Sequence, residues 1–217
     1  DGVYSTSKTA LDDGLSTRNS NGTLSPFMAG DVRFIDLKDD GVIDENDMTV
    51  IGDPNPDLYG SITNTFQYKR LKLNTVFTYS IGNDVYNAVR HNLESMNDFR
   101  NQTQAVLNRW SYEGQITRMP RANYGDPMGN ARFSDRWIED GSFLRMKSIT
   151  LSYDFPIKEG FFKGIQAYVT GNNLLTFTKY LGYDPEFSAS SNPLYYGIDT
   201  GLTPHPRSIL FGVKIGL

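Results

Sequence analysis

The stretch from Leu58 to Ile81 alternates by twos along almost its whole length. Leu58, Gly60, Ile62, Asn64, Phe66 and Tyr68 fall on one side of an extended chain, with Tyr59, Ser61, Thr63, Thr65 and Gln67 on the other. After Lys69-Arg70 the pattern resumes with Leu71, Leu73, Thr75, Phe77, Tyr79 and Ile81. Period two is the signature of a half-buried strand, and two such runs joined by two residues make a hairpin. Length is the sharper constraint. Ordinary strands average about five or six residues, whereas a tilted strand crossing a bilayer needs about nine to eleven.

Three more runs of this kind follow. Ile149, Leu151, Tyr153 and Phe155 form one; Ile165, Ala167, Val169, Gly171, Asn173, Leu175 and Phe177 a second; Ile209, Phe211, Val213, Ile215 and Leu217 the last. Carried backwards, the same parity turns Arg145 and Lys147 to the apolar side with Ile149. That is tolerable only near a membrane interface, where long cationic side chains reach water. Trp137 and the charges before Lys147 are then expected at or above that surface. The connections alternate long and short: residues 1–56, 69–70, 82–136, 156–164 and 178–207. The strand-bearing segments are 57–81, 137–177 and 208–217.

Membrane barrels have this rhythm of short turns and long outer loops, but their smallest members have about eight strands. Five amphipathic strands therefore predict an all-β chain forming the C-terminal part of a large transmembrane β-barrel. Small polar residues on the second face suit a lumen. Thirteen Tyr and thirteen Phe fit β-structure. A secreted soluble β-sandwich that binds glycans, carrying a calcium loop, is the alternative; it explains the alternation but neither the strand length nor the rhythm.

The connections hold the candidate sites. Residues 1–30, rich in Ser, Thr, Asn, Asp and Gly, read as loop. In GDVRFIDLKDDGVIDENDMTVIG, Asp36, Asp40, Gly41, Val42, Asp44 and Asp47 match positions of a calcium-binding loop. Lys38 stands where one ligand is wanted, so a weak Ca2+ site is expected. Between residues 82 and 134, Val89, Leu93, Met96, Phe99, Val106, Leu107 and Trp110 recur at helical spacing, which predicts one or two short helices packing the loop on itself. Enzyme chemistry is not apparent. His91 and His205 stand alone, and Glu139-Asp140 and Asp184/Glu186 are acid pairs common on any surface. The chain has no cysteine, and its net charge of −4 offers no basic patch for nucleic acid.

GDVRFIDLKDDGVIDENDMTVIGDPNPDLYGSI, DRWIEDGSFLRMKSITLSYDFP, GNNLLTFTKYLGYDPE and the closing PRSILFGVKIGL together resemble the C-terminal part of SusC/RagA-type TonB-dependent outer-membrane transporters. The blocks run in the family's order from about residue 25 to the end. Two positions depart from the pattern: Lys38 stands where the family commonly has Asn, and Leu217 where an aromatic is usual. The resemblance implies a large plugged barrel in the Gram-negative outer membrane. It would import glycans or oligopeptides with energy delivered through TonB, under a SusD-like lipoprotein lid.

The N-terminus lacks the basic start and apolar run of a signal peptide, and neither plug nor TonB-interaction segment is recognisable. The expectation is that plug and N-terminal strands complete the barrel elsewhere in the same transporter. Loops 1–56, 82–136 and 178–207 would then face outside. Trp110, Tyr112, Tyr124, Tyr183, Tyr195 and Tyr196 are the candidate substrate contacts, since flat aromatic faces suit sugar rings and peptide side chains. Asn74, Thr78, Thr150 and Asn172 would face the plug.

Overall fold

The computed structural model describes residues 2–157, 161–186 and 195–216. It divides into two compact units, Asp1–Ile51 with Ala88–Trp137, and Gly52–Asn87 with Ile138–Leu217.

The first unit corrects the reading of residues 1–30 as loop. Helix α1 spans Ser7–Asp13; the Thr6 side chain accepts the Thr9 N–H at its start, and Gly14 ends it in the left-handed conformation. Strand β1 (Ser16–Arg18) pairs antiparallel with β2 (Leu24–Pro26) and parallel with β3 (Val42–Ile43). Tyr4, Ala10, Phe27, Ile43 and Met128 bury a common core against Leu15 and Phe34. A few apolar anchors scattered through polar sequence are thus enough to order it.

Helix α2 (Ala88–Glu94) and a 3-10 turn at Gln104–Asn108 are short helices of the kind expected in this loop. Trp137 is fully buried, with the His91 ring edge-on at 4.9 Å and the Arg136 guanidinium 4.4 Å above it. Its indole N–H donates to the Arg132 carbonyl at 3.1 Å. Trp137 is therefore a core residue of this unit.

The second unit is built on one five-stranded antiparallel sheet in the order β11-β9-β8-β5-β4. Its strands are β4 (Leu58–Tyr68), β5 (Leu71–Ile81), β8 (Phe143–Phe155), β9 (Gly164–Thr178) and β11 (Ser208–Gly216). Between them β6 (Asp84–Asn87), β7 (Ile138–Asp140) and β10 (Ile198–Asp199) form a small three-stranded sheet. Lys69, at φ 53°, makes the tight turn that sets Tyr68 opposite Leu71. Among the described residues, β4 pairs only with β5 and β11 only with β9, so both outer edges of the large sheet lack a partner strand. Among the described residues no helix is long and apolar enough to cross a membrane.

Register fixes which residues share a face. Leu73, Leu151, Val169 and Phe211 lie in one apolar row across β5, β8, β9 and β11. Asn74, Thr150 and Thr170 lie in a polar row on the opposite face, and the two threonine hydroxyls bond at 2.9 Å. This alternation breaks once. Val76 faces Ser148, but Phe77 faces Met146, leaving Lys147 as an extra residue of β8; on the other side Asn172 faces Ser148 while Leu175 faces Met146. The extra residue is a β-bulge, and Asn173 beside it takes φ 51°.

The bulge reverses the parity of everything before it. Met146 joins the apolar row with Phe77 and Leu175, and Arg145 joins the polar row with Thr78 and Thr176. The expectation that Arg145 and Lys147 point with Ile149 is thereby corrected.

Candidate functional site

A groove of about 600 Å³ lies where the polar face of the large sheet meets its connecting loops. Tyr59, Ser61, Thr78 and Ser80 project from β4 and β5 to form its strand wall, as alternation requires; Pro54, Pro185, Glu186 and Tyr196 form its loop wall. The loop after β9 is tied to itself where the Tyr180 hydroxyl donates to the buried Asp199 carboxylate. It is sewn to the unit where the Leu181 N–H donates to Glu139 at 2.9 Å and where β10 runs parallel to β6.

Beside the groove sits a cluster of charges. Arg145 reaches Asp184 and, through Nη1, Glu186 at 3.2 Å. The Arg145 and Asp184 side chains are only 3% and 6% exposed. Lys147 Nζ holds the same Glu186 at 2.9 Å, in a more open position. Asp184 also accepts the backbone N–H groups of Glu186 and His205, each at 2.9 Å, and contacts His205 Nδ1 at 3.0 Å. Burial pushes the Asp184 carboxyl up, but Arg145 and these N–H groups outweigh it and hold the group down at about 2. Four charges of two signs are thus balanced locally, so the cluster fastens the loop without presenting an uncompensated charge.

The acidic loop is organised by its own backbone. Asp36 accepts the N–H groups of Lys38, Asp39 and Gly41; Asp40 accepts that of Val42; Asp47 accepts those of Leu37 and Asp44. Asp44 accepts the Asn46 N–H and pairs with Arg18 at 3.1 Å. Slight desolvation of Asp36 is outweighed by its N–H donors, which lower its pKa. Among the described residues no group of three or more His, Cys, Asp or Glu side chains is placed to hold a metal ion. The carboxylates of Asp36, Asp40, Asp44 and Asp47, expected with the Val42 carbonyl to form a weak Ca2+ site, thus accept N–H bonds from their own turn.

Of the six aromatic candidates, Trp110, Tyr112 and Tyr124 lie in the first unit and Tyr183, Tyr195 and Tyr196 in the second. Trp110 packs on Gly30, whose missing Cβ would come within 2.5 Å of the indole, and its N–H donates to the Ser5 carbonyl at 3.2 Å. Tyr124 stacks on Phe99 with centroids 5.0 Å apart, both exposed, and Tyr112 is exposed as well. Tyr183 and Tyr195 are exposed on the loop after β9, and Tyr196 alone of the six lines the groove. Sequence reasoning leaves out Tyr59, Arg145, Asp184, Glu186 and His205. The four charged or ionisable ones meet only through the bulge and the loop's return, which no local pattern displays.

No family model matches the chain. Over 205 residues it is 31% identical to TonB-dependent receptor P26 of Formosa agariphila, covering 91% of this chain and 20% of that protein. A second receptor of that organism is 32% identical over 192 residues, covering 84% and 18%. TonB-dependent receptor SusC of Bacteroides thetaiotaomicron is 28% identical over 191 residues, covering 85% and 17%. Among solved structures, the RagAB peptide transporter aligns at 25% identity and a TM-score of 0.63, over 74% of this chain and 17% of that one.

Over most of its length the chain is homologous to TonB-dependent receptors, SusC among them.

At 19% identity, the RagAB importer in its open-open state matches the fold over 100% of this chain and 21% of that one, with a TM-score of 0.70. The chain therefore spans about a fifth of the length of the curated receptors it matches, and its sheet is part of a receptor barrel. In such a barrel the apolar rows are the wall turned to lipid and the polar rows line the lumen.

Proposed function

We propose that this chain is part of an outer-membrane nutrient importer that takes up glycans or oligopeptides with TonB-delivered energy, working beneath a SusD-like lipoprotein. The observation that carries this reading is the five-stranded sheet with one apolar face and, among the described residues, two unpaired edges, in a chain similar to TonB-dependent receptors along most of its length. Unpaired edges are untenable in lipid, where each bare backbone group costs several kcal/mol. The N-terminal barrel strands of the same transporter are therefore the natural partners of β4 and β11, with the plug inside the lumen they enclose.

In this reading the loops joining β5 to β8 and β9 to β11 lie outside the cell, together with residues 1–56, and the lipoprotein meets them there. The groove at Tyr59 and Tyr196 then opens into the lumen near its outer mouth. The experiment is to express the full transporter, test extraction with and without detergent, and follow uptake of oligosaccharide and peptide pools in cells with and without TonB. Detergent-dependent extraction and TonB-dependent uptake are expected. A protein soluble without detergent that binds carbohydrate alone would instead identify the sandwich module.

A further inference from the structure

We propose that Arg145 is a positioning residue whose buried pairing with Asp184 fixes one wall of the lumenal groove; the functional meaning of that wall rests on the importer reading above. The charges fall into two tiers. Arg145 and Asp184 are 3% and 6% exposed, whereas Lys147 and Glu186, which share a 2.9 Å contact, are 36% and 30% exposed. Arg145 Nε and the neighbouring Thr78 Oγ1 are buried without a hydrogen-bond partner. The guanidinium is therefore held to the loop by its two carboxylates.

Other ties flank this part of the loop: Tyr180 and Pro185 are buried, and the Leu181 N–H donates to Glu139 at 2.9 Å. Between them Leu181 and Tyr183 are 73% and 76% exposed, so those two side chains add little apolar packing. Asp184 meanwhile draws in the His205 backbone, which returns the chain to β11. Pro185 and Glu186, flanking and joined to this knot, are groove wall. Remove the buried charge and the wall loses its anchor at Asp184, while the pairing of β8 with β5 and β9 is untouched. A charge buried among protein groups is also strongly directional, since an uncompensated partner is far costlier than an exposed one.

The test uses the full transporter with spin labels at Tyr59→Cys on the strand wall and Tyr183→Cys on the loop, both exposed in the parent; this chain supplies no competing cysteine. Pulsed electron paramagnetic resonance should give one narrow distance distribution. Arg145→Met should broaden it at least twofold while the barrel keeps its heat-modifiable gel mobility, and Glu186→Gln should leave it narrow. An unchanged width in Arg145→Met, or equal broadening in Glu186→Gln, overturns the proposal. If Arg145→Met fails to assemble, Asp184→Asn replaces it, since the amide oxygen still accepts N–H bonds; an unchanged width there overturns the proposal equally. Absence of TonB-dependent uptake in the unsubstituted transporter would overturn the importer reading and leave these distances as they are.

Discussion

Arg145 on β8 and Asp184 in the loop after β9 bury opposite charges against each other, 39 residues apart in sequence. Because the Asp184 carboxyl titrates at about 2 rather than at its ordinary 3.8, its ionised form is favoured by folding. A depressed carboxyl stabilises above its unfolded value and loses that contribution as pH falls through the folded one. The window is thus from about pH 4 down to about pH 2, and the stake is about 2 kcal/mol. Hydrogen exchange of residues 181–186 in the full transporter should accelerate through that window, and Asp184→Asn should abolish the acid limb.

Asp31 should be the least replaceable acid of the first unit. It is fully buried and accepts from Arg121 at 2.9 and 3.0 Å, from Asn130 at 2.9 Å and from the Met28 N–H at 2.9 Å. Asp31→Ala strands the Arg121 charge and should cost about 3–5 kcal/mol. Trp110 and Trp137, the two tryptophans of this chain, both lie in this unit, so denaturation followed by their fluorescence against a Trp-free background reports the loss.

Gly212 on β11 faces Tyr168 on β9, and a Cβ there would stand 2.2 Å from the ring. Gly212→Ala should lower barrel stability by about 1–3 kcal/mol through overpacking. With Tyr168→Ala added, the loss should be smaller than the sum of the two single substitutions. Gel mobility of the folded barrel against temperature measures all three.

The acidic loop gives a prediction about metal. Its carboxylates already close the turn, so EDTA should leave protease cleavage between residues 36 and 47 unchanged, whereas Asp36→Ala should speed it severalfold. The Asp36 pKa is lowered, so protection holds above the ordinary carboxylate value and fades as pH falls below about 3.8. Slower cleavage on adding calcium would place the expected ion at Asp36, Asp40, Val42, Asp44 and Asp47.

The strands were legible in the chain because side chains on a pleated sheet must alternate: the Leu58–Ile81 hairpin is visible residue by residue. Membrane strands also declare themselves by length. Residues 1–30 were not legible as structure, since Tyr4, Ala10 and Phe27 follow no period, although Thr6 and Gly14 flank α1 as ordinary cap residues. The charge cluster was hidden for a different reason. Asp184, Glu186 and His205 look like common surface residues until the loop folds back, and Arg145 carries the wrong parity until one extra residue is counted. Among the aromatics, residue type suggested contact, but only the register of β4 and the path of the last loop decide that Tyr59 and Tyr196 meet at one groove.

Lys147 is the slack in β8. Replacing it by Ala keeps the bulge and forfeits one half-exposed ion pair. Deleting it would join Met146 directly to Ser148 and close the bulge, with Met146 still opposite Phe77 and Arg145 still opposite Thr78. In related barrels, then, the stretch between Phe143 and Phe155 can lose this one residue without exchanging its lipid-facing and lumen-facing sides.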